Sequence, residues 1–107
     1  MASQNGIRGK GRTWFVSRHP GALEWARRQD LVIDRWAAHI DPDLVEAGDT
    51  IIGTLPVSLA AAVCRRGAHY LHLSIEMPEA WRGRELSAAE LVAAGAQLKQ
   101  FRVIENG

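Results

Sequence analysis

The chain has 107 residues, 47% of them hydrophobic, and a formal net charge of +1 at pH 7. That length suits one domain able to bury roughly 60–65% of its unfolded surface, and the near-neutral charge excludes a general nucleic-acid coat, so long DNA or RNA is not an expected partner. The longest apolar run, residues 55–64, is broken by Pro56 and Ser58 and falls short of the roughly 18–20 residues a bilayer span needs, so no membrane is expected either.

Residues 1–12 carry Arg8, Lys10, Arg12 and three glycines without an apolar stretch behind them, and read as a flexible N-terminal tail rather than a signal peptide. Residues 13–107 then read as a single α/β domain. The β-branched and aromatic run 13–17 predicts a first strand, stopped by the turn Arg18-His19-Pro20-Gly21. A helix over 20–29 follows, with Ala22, Trp25 and Ala26 on its buried side. Residues 33–40 read as a strand. Asp41 then caps a short helix that has Pro42 at its first position and Gly48 just past its end. The apolar run 50–55 fits a strand buried on both faces, and Pro56 opens a helix whose Val57, Ala60, Ala61 and Cys64 form one stripe until Gly67. Residues 70–77 read as the last strand. After a loop over 78–86, Ser87 and Glu90 form a capping box for a final helix with Leu91, Leu98 and Phe101 inward.

Strands alternating with short helices predict a single Rossmann-like α/β domain, its sheet mostly parallel with helices on both faces. Ligands of such sheets bind beyond the carboxyl ends of the strands. Two segments lie there, each leading into a helix amino terminus where free N–H groups favour an anion: Ser17, Arg18, His19, Pro20 and Gly21 after the first strand, and Gly53, Thr54, Leu55 and Pro56 after the third. Neither is a Walker loop or a GxGxxG fingerprint.

Arginine outnumbers lysine eleven to two. The pairs Arg27/Arg28 and Arg65/Arg66 read as complements to the carboxyl ends of their helices, whereas Arg18, Arg82 and Arg84 fall in loops, where a guanidinium suits phosphate. His19, His39, His69 and His72 show no ligand spacing near the single cysteine, so neither a metal nor another cofactor is expected. His69 and His72 fall on opposite faces of a strand, and His39 sits where Asp41 could orient it. His19, between Arg18 and a helix start, is the histidine whose position points to chemistry. Asp34, Asp41, Asp43 and Asp49 read as solvated or capping carboxylates. Trp14, Trp25 and Trp36 read as core, while Trp81, beside Arg82 and Arg84, either packs its loop or stacks on a base. Cys64 reads as a small core residue, and a lone cysteine fits a reducing cytoplasm.

The runs TWFVSRHPGALEWA (13–26), GDTIIGTLPVSLAAAVCRRGAHYLHL (48–73) and WRGRELSAAEL (81–91) resemble a family of small CRISPR-associated accessory proteins of type III interference systems, over about residues 13–98. The resemblance implies antiviral defence through cyclic oligoadenylate signalling. It implies a metal-independent ring nuclease that opens the ring, a tetra-adenylate by expectation, leaving a 2′,3′-cyclic phosphate. Residue roles come from the loops. His19, Ser17 and Arg18 are the catalytic candidates: His19 transfers a proton and Arg18 neutralises phosphate. The N–H groups after Gly21 and Thr54 cradle the phosphate, Gly53, Leu55 and Pro56 complete that ligand-binding loop, Arg82 and Arg84 close over the ligand, and Trp81 is the base-stacking candidate. A ring with repeated phosphates suits two copies of one loop across a two-fold axis, so a homodimer is expected. Two readings stand beside this one: a non-catalytic binder that sequesters or senses the messenger, and a structural partner of the interference complex.

Overall fold

The computed structural model describes residues 11–107. In chain order the elements are strand β1 (Thr13–Val16), helix α1 (Pro20–Arg27), strand β2 (Arg35–Ala37), a 3-10 turn (Pro42–Leu44), strand β3 (Thr50–Gly53), helix α2 (Val57–Arg65), strand β4 (His69–Ser74), a second 3-10 turn (Glu79–Trp81), helix α3 (Ala88–Ala93) and strand β5 (Gln97–Phe101). The five strands form one sheet in the order β2-β1-β3-β4-β5. The pairs β1–β2, β1–β3 and β3–β4 are parallel, whereas β4–β5 is antiparallel.

Register explains the two layers. Phe15, Ile52 and Leu71 stand side by side across three strands and meet Ala22, Trp25 and Ala26 of α1 with Ala88 and Leu91 of α3. One residue earlier, Trp14 and Ile51 turn to the opposite face, as the two-residue period of a strand requires. There they meet Val63 of α2 together with Ile40 and Val45. Phe15, Ile51, Ile52, Val45 and Val63 are fully buried, each such side chain contributing about 1.5–3 kcal/mol.

The sheet departs from the expected mostly parallel one at its far edge. The final helix does not run on to Phe101. It ends at Ala93, and Gly95, at φ 73°, turns the chain back into β5. Leu98 and Phe101 therefore belong to an antiparallel strand, with Leu98 packed against the first core and Phe101 47% exposed. The sheet is thus mixed, in a small α/β domain with three helices. The expected strand over 33–40 also shrinks to three residues at the edge, where Trp36 is 42% exposed beneath the Arg27 guanidinium, 5.2 Å from the ring centre, rather than in the core.

The local signals at the turns hold. The Asp41 carboxylate accepts the Asp43 N–H, and Ser87 and Glu90 form both bonds of the capping box. The Ser87 N–H holds the Glu90 carboxyl below its ordinary range, with the Arg84 guanidinium adding to the effect. Of the expected tail, residues 1–10 lie outside the described residues. Arg12 is fastened: its N–H donates to the buried Asp49 carboxylate and its carbonyl accepts from Thr50.

Candidate functional site

The chain leaves β1 toward β2 on one side and later enters β3 on the other, so the loops after β1 and β3 are neighbours where the strand order reverses. A cleft of about 840 Å³ opens there, within the usual size range of a small-molecule site. Ser17, Arg18, His19, Gly53, Thr54, Leu55, Pro56 and Arg84 line it, joined by His39 and His72. Gly21, Trp81 and Arg82 are not among its lining residues.

The β1–α1 loop is ordered from within. The Ser17 hydroxyl accepts the His19 N–H at 3.1 Å, and the His19 carbonyl accepts from Ala22 and Leu23, starting α1. The Ala22 amide is thereby engaged, so it is not the free donor expected after Gly21. Gly21 has a packing reason instead: a Cβ there would run into the Leu86 carbonyl. The His19 imidazole reaches across to Glu85, with Nδ1 3.0 Å from the carboxylate, both side chains being more than half exposed. Arg18 has no carboxylate partner among the described residues. Arg84, by contrast, is held by Glu90 at 2.7 Å and lies 5.3 Å from the Trp81 ring centre. Trp81 itself packs against the first core.

The β3–α2 segment forms the other wall. A Cβ at Gly53 would come within 2.5 Å of the Val16 carbonyl, so glycine lets β3 approach β1 closely at the cleft floor. The Thr54 hydroxyl donates to the Leu73 carbonyl. Leu55 N–H, expected to face a ligand, donates to the Tyr70 hydroxyl at 2.9 Å. The Pro56 carbonyl accepts from Leu59 and Ala60, which leaves the Val57 and Ser58 N–H groups at the helix start for a ligand or water.

Three contributors escaped the sequence reading. Glu85 lies 66 residues from His19, and no local pattern links them. Tyr70 and His72 carry a weak signal, because residues two apart on a strand share a face. The Tyr70 hydroxyl lies 2.7 Å from His72 Nδ1 and 3.3 Å from the Gly53 carbonyl. Burial pushes the Tyr70 hydroxyl above its ordinary pKa, against the opposing pull of the Leu55 N–H.

Among the described residues no three His, Cys, Asp or Glu side chains gather as a metal-ligand set, and no helix is long and apolar enough to cross a membrane. Cys64 is half-buried, its sulfur 3.5 Å from the Val103 N–H.

No curated protein and no solved structure matches the chain. A family model described as "Putative CRISPR-associated protein (Cas_VVA1548)" matches residues 14–104, a span that takes in both walls of the cleft, and the chain belongs to this family of CRISPR-associated proteins.

Proposed function

We propose that the protein is a metal-independent ring nuclease that binds a cyclic oligoadenylate, in the first instance the tetra-adenylate, and opens it to a linear product ending in a 2′,3′-cyclic phosphate. The observation that carries this reading is the meeting of two helix-start loops in one cleft where Arg18 has no carboxylate partner among the described residues and His19 is backed by one. The chain's membership of a CRISPR-associated family is compatible with the signalling role that the sequence resemblance implies.

The chemistry asks for a base, a charge neutraliser and a fixed geometry. Glu85, accepting from His19 Nδ1, keeps the proton on that nitrogen and leaves Nε2 to take the proton of the ribose 2′-hydroxyl. The 2′-oxygen attacks the adjacent phosphorus. Arg18 pairs with the phosphate as its charge grows. Ser17 acts on the loop, holding the His19 backbone in the extended form that starts α1. The Gly53 to Pro56 wall takes the sugar and base, with Arg84 at the rim. A cleft of this size holds part of a four-nucleotide ring, so two copies about a two-fold axis complete the site.

Incubating the purified protein with labelled cyclic tetra-adenylate, with and without EDTA, tests the proposal. It predicts a linear product bearing a 2′,3′-cyclic phosphate in both reactions. Saturable binding with an intact ring makes the protein a sequestering binder instead. Turnover abolished by EDTA and restored by manganese removes the metal-free mechanism.

A further inference from the structure

We infer that His72 is a second proton-transferring residue of the cleft, held in its working tautomer by Tyr70, and that it protonates the leaving 5′-oxygen when a ring phosphodiester opens. This assignment rests on the reaction proposed above and adds to it a residue from a different strand.

Placement comes first. β3 lies between β1 and β4, so His19 beyond β1 and His72 on β4 flank the Gly53 segment from opposite sides. With strands about 4.8 Å apart, the backbones of β1 and β4 are separated by roughly 10 Å. Both rings line the cleft that opens beyond the Gly53 segment. His72 is the register partner of Gly53, and its ring is held edge-on against Phe101 at 5.8 Å and against Tyr70 at 5.8 Å.

Hydrogen-bond bookkeeping around Tyr70 admits a tautomer with the proton on His72 Nδ1, and that tautomer is the one assigned to His72. The phenol oxygen has three neighbours: the Leu55 N–H at 2.9 Å, the Gly53 carbonyl at 3.3 Å and His72 Nδ1 at 2.7 Å. A phenol donates one hydrogen and accepts two. If its hydrogen goes to the Gly53 carbonyl, the oxygen accepts both from Leu55 and from a protonated His72 Nδ1, and every group is matched. Nε2 is then the nitrogen left to exchange a proton with a ligand, and it has no partner among the described residues. The same three bonds persist whether Nε2 carries a proton or not. Gain and loss of that proton therefore require no rearrangement of the wall, which suits a proton-transfer residue. Burial keeps the phenol protonated and so preserves the arrangement.

The partners divide the labour. His19 has the Glu85 carboxylate beside it and is assigned the base role, whereas His72 has the Tyr70 phenol beside it and is assigned the acid role. In the balanced step, the 2′-hydroxyl proton passes to His19 Nε2 and the 2′-oxygen forms a bond to phosphorus. The bond from phosphorus to the 5′-oxygen breaks, and that oxygen takes the Nε2 proton of the His72 imidazolium. Exchange with water restores both histidines.

The leaving group provides the test. Cyclic tetra-adenylate and an analogue with sulfur in place of one bridging 5′-oxygen are followed under single-turnover conditions, because a thiolate departs without a proton. His72→Asn is expected to lose about 100-fold or more in rate on the oxygen substrate while binding it normally, and to match the wild type at the sulfur linkage. His72→Gln serves as a second variant should the first fail to fold. His19→Ala stays slow on both substrates. Tyr70→Phe, a change in a positioning residue, lowers kcat with KM unchanged, and nitrogen NMR shows the His72 proton no longer confined to Nδ1. A folded His72 variant with full rate on the oxygen substrate overturns the assignment and leaves ring opening by His19 standing. Equal loss on both substrates overturns the acid role. A wild-type protein that leaves cyclic tetra-adenylate intact overturns the underlying reaction itself.

Discussion

Asp49 at the amino end of β3 and Arg18 just past the carboxyl end of β1 are charged residues on neighbouring strands of one sheet, yet they are treated in opposite ways. Asp49 is 4% exposed and accepts N–H groups from Arg12, the Trp14 indole and Glu46. Asp34 does the same for Thr13. Arg18 lines an open cleft and has no such partner among the described residues. The amino ends of the strands use charge to satisfy backbone donors, whereas at the carboxyl end of β1 the Arg18 charge has no carboxylate partner among the described residues. In a parallel sheet this is the expected division, because the loops that precede helix starts gather at the carboxyl edge.

The comparison can be broken first at the point both ends share. Ile52 is 1% exposed at the centre of β3, between Phe15 and Leu71. Ile52→Asp buries an unpaired charge at a cost comparable to the whole stability of about 5–15 kcal/mol of an ordinary domain, so soluble folding is expected to fail. A soluble variant that melts cooperatively would contradict the two-layer core.

A smaller change separates the two ends. Asp49→Ala leaves three N–H donors without their acceptor and is expected to cost about 3 kcal/mol, or on the order of 15 °C in melting temperature. Affinity for the cyclic nucleotide, measured below the melting transition, should be unaltered. A variant that keeps its melting temperature but loses ligand would reverse the roles given to the two ends.

What could be read without coordinates follows the range of the interactions. Local signals were legible: the caps at Asp41 and Ser87, the Pro20 helix start, and the unbroken apolar run of β3. β5 was missed because Leu91, Leu98 and Phe101 fit a helical stripe as well as they fit any strand. The signal against that stripe was the Ala94-Gly95 pair, where a glycine with positive φ ends the helix. Asp49 was read as a capping or solvated carboxylate because burial by Trp14, 35 residues away, has no local signature. The two loops of the cleft were found from their position between strand and helix. Their supporting groups, Glu85 and Tyr70, were not, since each depends on a contact between residues far apart in the sequence.

The central claim, that the cleft at the carboxyl ends is a cyclic oligoadenylate site, is tested most directly by binding and single-turnover measurements on Arg18→Ala and His19→Ala, with melting temperatures on the same samples. A charge-assisted bond from arginine to phosphate contributes about 1.5–3 kcal/mol, so Arg18→Ala is predicted to weaken binding of cyclic tetra-adenylate by about 10–150-fold. His19→Ala is predicted to bind normally and to cleave about 100-fold more slowly or worse. Well-folded variants with wild-type affinity and rate would contradict the account and remove the β1–α1 loop from the site.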